Sequence, residues 1–278
     1  YLDQEKQRIS RKHLIPRQLA KAGLTRSDIK IESAALKKVI DGYSRESGIR
    51  RLDNAIASII RKSALSILEG TKKPITIQKD DIEPLLGNPI YRKEVLQQGI
   101  GVITGLAWTP LGGATLPVEA TLVHNHAAGI TTTGQLGQVM EESANIAYSY
   151  ILSNQKDLEI PEGYLDKAHI HLHVPAGATP KDGPSAGITM ASAILSLAKG
   201  KKIRANHAMT GELTLTGKIY PVGGIREKLL AAKRQNIRNV MLPEANQGDY
   251  LDVPDYIRKG IKVKFVDTFE ALAKLVFY

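Results

Sequence analysis

Two short segments carry side chains whose types and spacing could perform acyl transfer. The first is Asp182-Gly183-Pro184-Ser185-Ala186-Gly187, set between a strand-like run, His169–Val174, and an apolar helix-like run. Pro184 suits the first position of a helix, where a missing N–H costs nothing. Ser185 then falls in the first turn, where unpaired N–H groups and the helix dipole suit the oxyanion of an acyl-transfer intermediate. Gly183 and Gly187 leave room for a substrate backbone. The spacing also matches Gly-x-Ser-x-Gly, but no strand runs directly into it and Pro184 puts the serine inside the helix start, unlike a hydrolase elbow. On these residues alone, a solvated serine near a helix start is the commoner alternative.

The second segment is Tyr220-Pro221-Val222-Gly223-Gly224-Ile225-Arg226-Glu227-Lys228-Leu229-Leu230. A glycine pair leads into a helix whose first turn contains Lys228, flanked by leucines. The helix dipole disfavours a cation there, and partial burial disfavours it further, so both lower the lysine pKa toward that of a base for a serine. A solvated first-turn lysine is the plainer alternative. Asp182 could approach Lys228, and a salt bridge there would keep the amine charged in an off state. His171 and His173 alternate along one strand and face the same side. A metal site would need a third ligand, no acid has suitable spacing, and structural histidines without metal are expected. His124 and His126 are expected in a surface loop.

The elements that position these segments are legible in the periodicity. From Gly99 onward strands and helices alternate. Strands are expected at Gly101–Trp108, Thr115–His124, Ile130–Thr133, Ala168–Val174, His207–Thr210, Leu213–Ile219, Val240–Leu242 and Val263–Val266. Helices are expected at Leu136–Ser153, Pro184–Ala198, Ile225–Gln235 and Phe269–Val276. That mixture predicts one α/β (α+β) domain with a mixed sheet over residues 91–278. Residues 1–90 read as a small, mainly helical domain. One helix spans Asp3 to about Ala22, with a break or kink at Pro16, a second spans Ser33–Ile40, and Leu52, Ile56, Ile59, Ile60 and Ile67 recur at helical spacing. Ile75–Ile77 is a candidate strand, and Glu83–Pro89 reads as punctuation at the boundary.

Composition narrows the class. The chain of 278 residues has no cysteine, which removes disulfides, thiolate metal sites and cysteine nucleophiles and fits a reducing compartment. No run reaches the roughly 20 apolar residues of a membrane span. The chain begins at Tyr1 without a signal-peptide pattern or an initiator Met, pointing to a piece of a longer protein. Residues 1–90 hold 18 Lys and Arg against 11 Asp and Glu, most of the excess in a total net charge of +10. A DNA contact or an acidic protein surface would suit that excess, although a solvated lysine-rich helical surface explains it as simply.

Several blocks, in order, resemble the Lon protease family. Asp182 to Met190 is similar to the segment around its nucleophilic serine. Met209-Thr210-Gly211-Glu212 and Pro221 to Lys228 resemble two later blocks, the second carrying the family's lysine. Thr104 to Thr109 with Gly112-Gly113, and His169 to Pro175, resemble earlier parts of the same domain. Arg11 to Pro16 and Tyr43 to Arg50 resemble the small AAA+ subdomain of the Lon ATPase.

The resemblance implies an ATP-dependent serine endopeptidase with Ser185 as nucleophile and Lys228 as general base, acting on unfolded or damaged proteins. It implies that Thr210 hydrogen-bonds the lysine, His173 lies near the site, Glu119 is supportive, and Arg50 is a sensor for nucleotide phosphates. It also implies a homohexamer in the bacterial cytoplasm, or alternatively the mitochondrial matrix. The chain has no Gly-x-x-x-x-Gly-Lys-Ser/Thr loop. No cofactor is therefore expected in it, and ATP with Mg would belong to the full-length protein. The competing reading is a Lon-like scaffold domain in a nucleic-acid-processing protein, which would need the basic surface and no working dyad.

Overall fold

The computed structural model describes residues 3–46, 48–91, 96–109, 112–123, 127–175 and 180–277. The chain forms two compact units, Tyr1–Glu94 and Val95–Tyr278.

In the first unit, α1 (Asp3–Ile9) runs through a wide π turn, Ser10–Leu14, into α2 (Ile15–Lys21). The expected break at Pro16 takes this form. Proline offers no N–H and crowds the carbonyl four residues back, and the wide turn just before it relieves both, with Ile15 N–H donating to Ser10 O. Strand β1 (Ile29–Ile31), absent from the sequence expectation, precedes α3 (Ser33–Tyr43) and α4 (Arg50–Leu68). The parallel strand β2 (Ile75–Ile77) pairs with β1, Ile29 opposite Ile75. The Glu83–Pro89 stretch is only partly punctuation, because α5 occupies Ile82–Leu86. Its Pro84 lies in the first turn, where no intrahelical donor is required. Leu36, Leu52, Ile56, Ile59 and Ile82 are wholly buried in this unit's own core.

In the second unit, β3 (Val102–Thr109) and β4 (Gly112–Val123) form an antiparallel hairpin. They are followed by β5 (Gly129–Thr133), α6 (Gln138–Ser153), β6 (His169–His173), α7 (Gly187–Lys199) and β7 (His207–Met209). Next come the short strands β8 (Glu212–Leu213) and β9 (Ile219–Tyr220), α8 (Ile225–Arg234), β10 (Asn239–Pro243), α9 (Gln247–Leu251), α10 (Asp255–Arg258), β11 (Lys262–Val266) and α11 (Phe269–Val276). Seven strands build one mixed sheet in the order β11-β10-β7-β3-β4-β6-β5, with β3/β4 and β4/β6 antiparallel and the other pairs parallel. This is the α/β fold expected.

The expected strand Leu213–Ile219 is instead a turn between β8 and β9. Gly217 has φ +80°, and the Thr214 hydroxyl accepts the Lys218 N–H at 3.0 Å. The alternation of Thr214-Leu215-Thr216 imitates a strand, yet Leu215 is left exposed. The helices α9 and α10 were not expected, being five and four residues long. His124 and His126, and the Gly177–Thr179 part of the loop before Ser185, lie outside the described residues.

Alternation along β4 divides the sheet faces. Leu116, Val118 and Ala120 join the α7 side of the core, while Gly113 lies against α8 on the other face. Helix α7 is buried almost all round, from Gly187 to Ser196 and again at Ala198, so its lack of a polar face follows from its central place. Two chain segments meet at its N-terminal end: the turn bearing Ser185 and the chain just after β7.

Candidate active site

Pro184-Ser185-Ala186 form a single tight 3-10 turn feeding α7, so Ser185 sits one turn ahead of the α-helix itself. Gly183, with φ +118° and ψ 157°, delivers the chain into that turn from a conformation L side chains avoid. Gly187 and Gly211 are small for packing reasons. A methyl on Gly187 would come 2.8 Å from the Leu213 nitrogen, and one on Gly211 2.8 Å from Ile219. This closeness lets the turn pair with the chain after β7: Gly211 N–H donates to Ser185 O at 3.0 Å, and Ile188 N–H donates to Gly211 O at 3.2 Å.

Thr210 joins the two candidate groups. It is fully buried, and its hydroxyl donates to Ser185 O at 3.1 Å while accepting from Lys228 Nζ at 3.0 Å. A hydroxyl has one proton, so with that proton committed to the Ser185 carbonyl it faces the amine as an acceptor. The Ser185 main chain and the Lys228 side chain are thus two hydrogen bonds apart.

Lys228 is only 2% exposed. Among the described residues no carboxylate pairs with it, and burial alone pulls its pKa from 10.5 to about 8. An ammonium in an apolar setting loses hydration that a single hydroxyl does not replace. Its helix is placed by close backbone contact. Lys228 N–H donates to Gly224 O at 3.0 Å, and Gly224, at φ +71°, turns the chain into α8. A methyl at Gly224 would come 2.8 Å from Trp108 Cβ, and one at Gly113 would overlap the Glu227 carbonyl. The β3–β4 hairpin therefore touches the α8 backbone directly, with Arg234 donating to Gly113 O at 2.6 Å.

The remaining predicted residues fall in different places. Asp182 does not meet Lys228 in this structure. Its Oδ1 accepts Met140 N–H at 3.0 Å and Gly183 N–H at 2.8 Å, so it caps the start of α6 and anchors the loop before Ser185. Lys181 adds to that anchor by donating to Gly134 O at 2.8 Å and Val174 O at 3.3 Å. His171 Nε2 and His173 Nδ1 both meet the Thr133 hydroxyl, at 2.8 and 2.7 Å, and Glu119 lies opposite His173 across β4 and β6. These residues form a polar row, and none of their described contacts reaches Ser185 or Lys228. Among the described residues, no group of three or more His, Asp or Glu side chains could hold a metal ion. In the first unit, Arg50 is exposed at the first position of α4, which is capped by Glu46 through the Arg51 and Leu52 N–H groups at 2.6 and 3.2 Å.

A helix-start serine, a buried lysine of lowered pKa and a threonine that joins the serine main chain to that lysine are the kinds of group a hydrolase of the Ser–Lys class uses. Comparison with known proteins agrees. Residues 76–278 match the Lon protease (S16) C-terminal proteolytic domain, and residues 20–75 match the Lon protease AAA+ ATPase lid domain. The chain belongs to the Lon protease family. It is similar to Lon protease 2 of Hydrogenovibrio crunogenus, 49% identical over all of this chain and 32% of that protein. It is also similar to Lon protease of Magnetococcus marinus, 50% identical over all of this chain and 34% of that protein. Lon protease 1 of Borreliella burgdorferi is 44% identical over all of this chain and 35% of its own length. The chain thus spans about a third of the length of these relatives. The proteolytic-domain match begins at residue 76, inside β2, yet β2 and α5 pack in the core of the first unit.

Proposed function

We propose that this chain carries the peptide-hydrolysing part of an ATP-dependent serine endopeptidase, with Ser185 as nucleophile and Lys228 as general base. The observation that carries the reading is Lys228: a lysine buried without an acid partner is costly to the fold, and it lies two hydrogen bonds from a serine at a helix start. With its pKa near 8, about a tenth of the amine is neutral at pH 7, which suits a base working near neutrality.

In the proposed reaction neutral Lys228 takes the Ser185 hydroxyl proton as Oγ attacks the scissile carbonyl. N–H groups of the turn entering α7 stabilise the oxyanion. The ammonium then gives its proton to the leaving amine, and a water, deprotonated by the same lysine, hydrolyses the acyl-enzyme. Thr210 keeps the amine oriented throughout. A scaffold role would leave the burial of Lys228 without a purpose.

The substrates proposed are unfolded or damaged polypeptides, and self-assembly into a ring of copies is proposed for the longer protein. ATP and Mg would act there also. In this chain Arg50 supplies one cation toward a nucleotide, and the sequence contains no phosphate-cradling loop. The deciding experiment is labelling with a fluorophosphonate probe followed by peptide mapping. Modification at Ser185, lost in Ser185→Ala while circular dichroism stays unchanged, is expected. Labelling elsewhere, or peptide cleavage that survives Ser185→Ala, would refute it.

A further inference from the structure

The approach to Lys228 is built from residues that cannot hold themselves in place. Pro221 has no N–H, Gly223 and Gly224 have no side chains, and Lys228 follows one turn later. The residue that grips this joint comes from another part of the chain. Asn246 is 2% exposed, in the 3-10 turn that follows β10. Its Oδ1 accepts Val222 N–H at 2.9 Å and its Nδ2 donates to Val222 O at 3.0 Å. The second Nδ2 proton goes to Asp249 Oδ2 at 2.6 Å. An N–H can only donate and a carbonyl or carboxylate can only accept, so the amide has one satisfactory orientation.

This is the pairing that a neighbouring strand would provide, delivered by one side chain to both main-chain groups of one residue. The same stretch also holds the other side of the site, because Met241 O in β10 accepts Thr210 N–H at 3.2 Å. Residues 241–246 therefore fix both the hydroxyl that meets Lys228 and the joint from which the Lys228 helix starts.

We propose that Asn246 is a positioning residue for the Lys228 amine, acting through Val222 and the Gly223-Gly224 joint. The inference rests on Lys228 being the base. A displacement of about 1 Å in a catalytic group costs on the order of a hundredfold in rate. Removing the amide also leaves a buried N–H and C=O of Val222 unpaired, so the joint is expected to shift toward water.

The test uses the whole 278-residue chain on a fluorogenic peptide, with Asn246→Ala and Asn246→Asp. The aspartate keeps the shape and the acceptor for Val222 N–H but sets a carboxylate against Val222 O and Asp249. In both variants kcat is expected to fall on the order of tenfold to a hundredfold with KM held within about twofold. The rising limb of the pH–rate profile should move to higher pH by about half a unit or more, as water reaches Lys228. Fluorophosphonate labelling of Ser185 should slow in parallel. Wild-type kcat and an unmoved limb in folded variants would overturn the inference, as would failure of both variants to fold, which would make Asn246 structural. Lys228→Ala assayed alongside separates the two ideas: activity there would sink the base assignment itself, whereas an inert Lys228→Ala beside normal Asn246 variants would sink only this proposal.

Discussion

Thr210→Val removes one oxygen from the centre of the site and changes almost nothing else. Valine has the same shape, and residue 210 is fully buried, so neither a cavity nor a new exposed surface arises. Two hydrogen bonds are lost. Ser185 O keeps its bond from Gly211 N–H at 3.0 Å, so that carbonyl stays satisfied. Lys228 Nζ loses the partner it holds at 3.0 Å. Leaving a buried polar group unpaired costs about 1–3 kcal/mol, and if that falls on the oriented amine the rate drops about 5- to 150-fold. Loss of either dyad member should cost more, on the order of a thousandfold or above. The lost acceptor also bonds an ammonium more strongly than a neutral amine. Its removal therefore lowers the Lys228 pKa further below about 8, and the rising limb of the pH–rate profile moves to lower pH. The assay is peptide cleavage from pH 5 to 10 on folded protein. A variant with unchanged rate and unchanged limb would refute the argument, since Thr210 would then be packing alone.

Three further outcomes follow from the same geometry. Lys228→Arg should be as inactive as Lys228→Ala in peptide cleavage, because a guanidinium keeps its charge and cannot act as a base. Lys228→Met should be more stable than the parent in urea: the fall in pKa from 10.5 to about 8 corresponds to about 3 kcal/mol. Below pH 8 the lysine is charged in both states and the whole penalty acts. Between pH 8 and 10.5 the native state gives up its proton first, parental stability rises, and the advantage of methionine shrinks. An advantage that grew with pH would contradict the burial argument. Gly113→Ala should lower the melting temperature and turnover together, because the new methyl overlaps the Glu227 backbone and a main-chain shift costs about 1–3 kcal/mol.

The amino-acid pattern marks the candidate site unevenly. Ser185 and Lys228 stood out because each sits at a helix start, where glycine and proline leave strong local marks. Elements with one buried face, such as β6 and α8, were legible because burial repeats along them with a clear period, whereas α7, buried almost all round, was legible as a long apolar run after Pro184. What could not be read depends on contacts distant in sequence. Asn246 lies in Pro243-Glu244-Ala245-Asn246, a stretch with no local signal, and its partner is 24 residues away. Asp182 could approach Lys228 on its proximity to Ser185, but in this structure its Oδ1 accepts the Met140 N–H at the start of α6, some forty residues earlier, together with the neighbouring Gly183 N–H. The false strand at Leu213–Ile219 shows the opposite error. Alternating side chains there serve a tight turn, enforced by Gly217 against Tyr150.

The contact between Trp108 and Gly224 gives the molecule a built-in optical probe. Trp108 is the only tryptophan in the chain and is 59% exposed, with its Cβ and ring against the joint that launches α8. Emission excited at the red edge of the aromatic band therefore comes from one spot, beside the approach to Lys228. A shift in emission maximum on binding a peptide would report the α8 joint directly, with no label added.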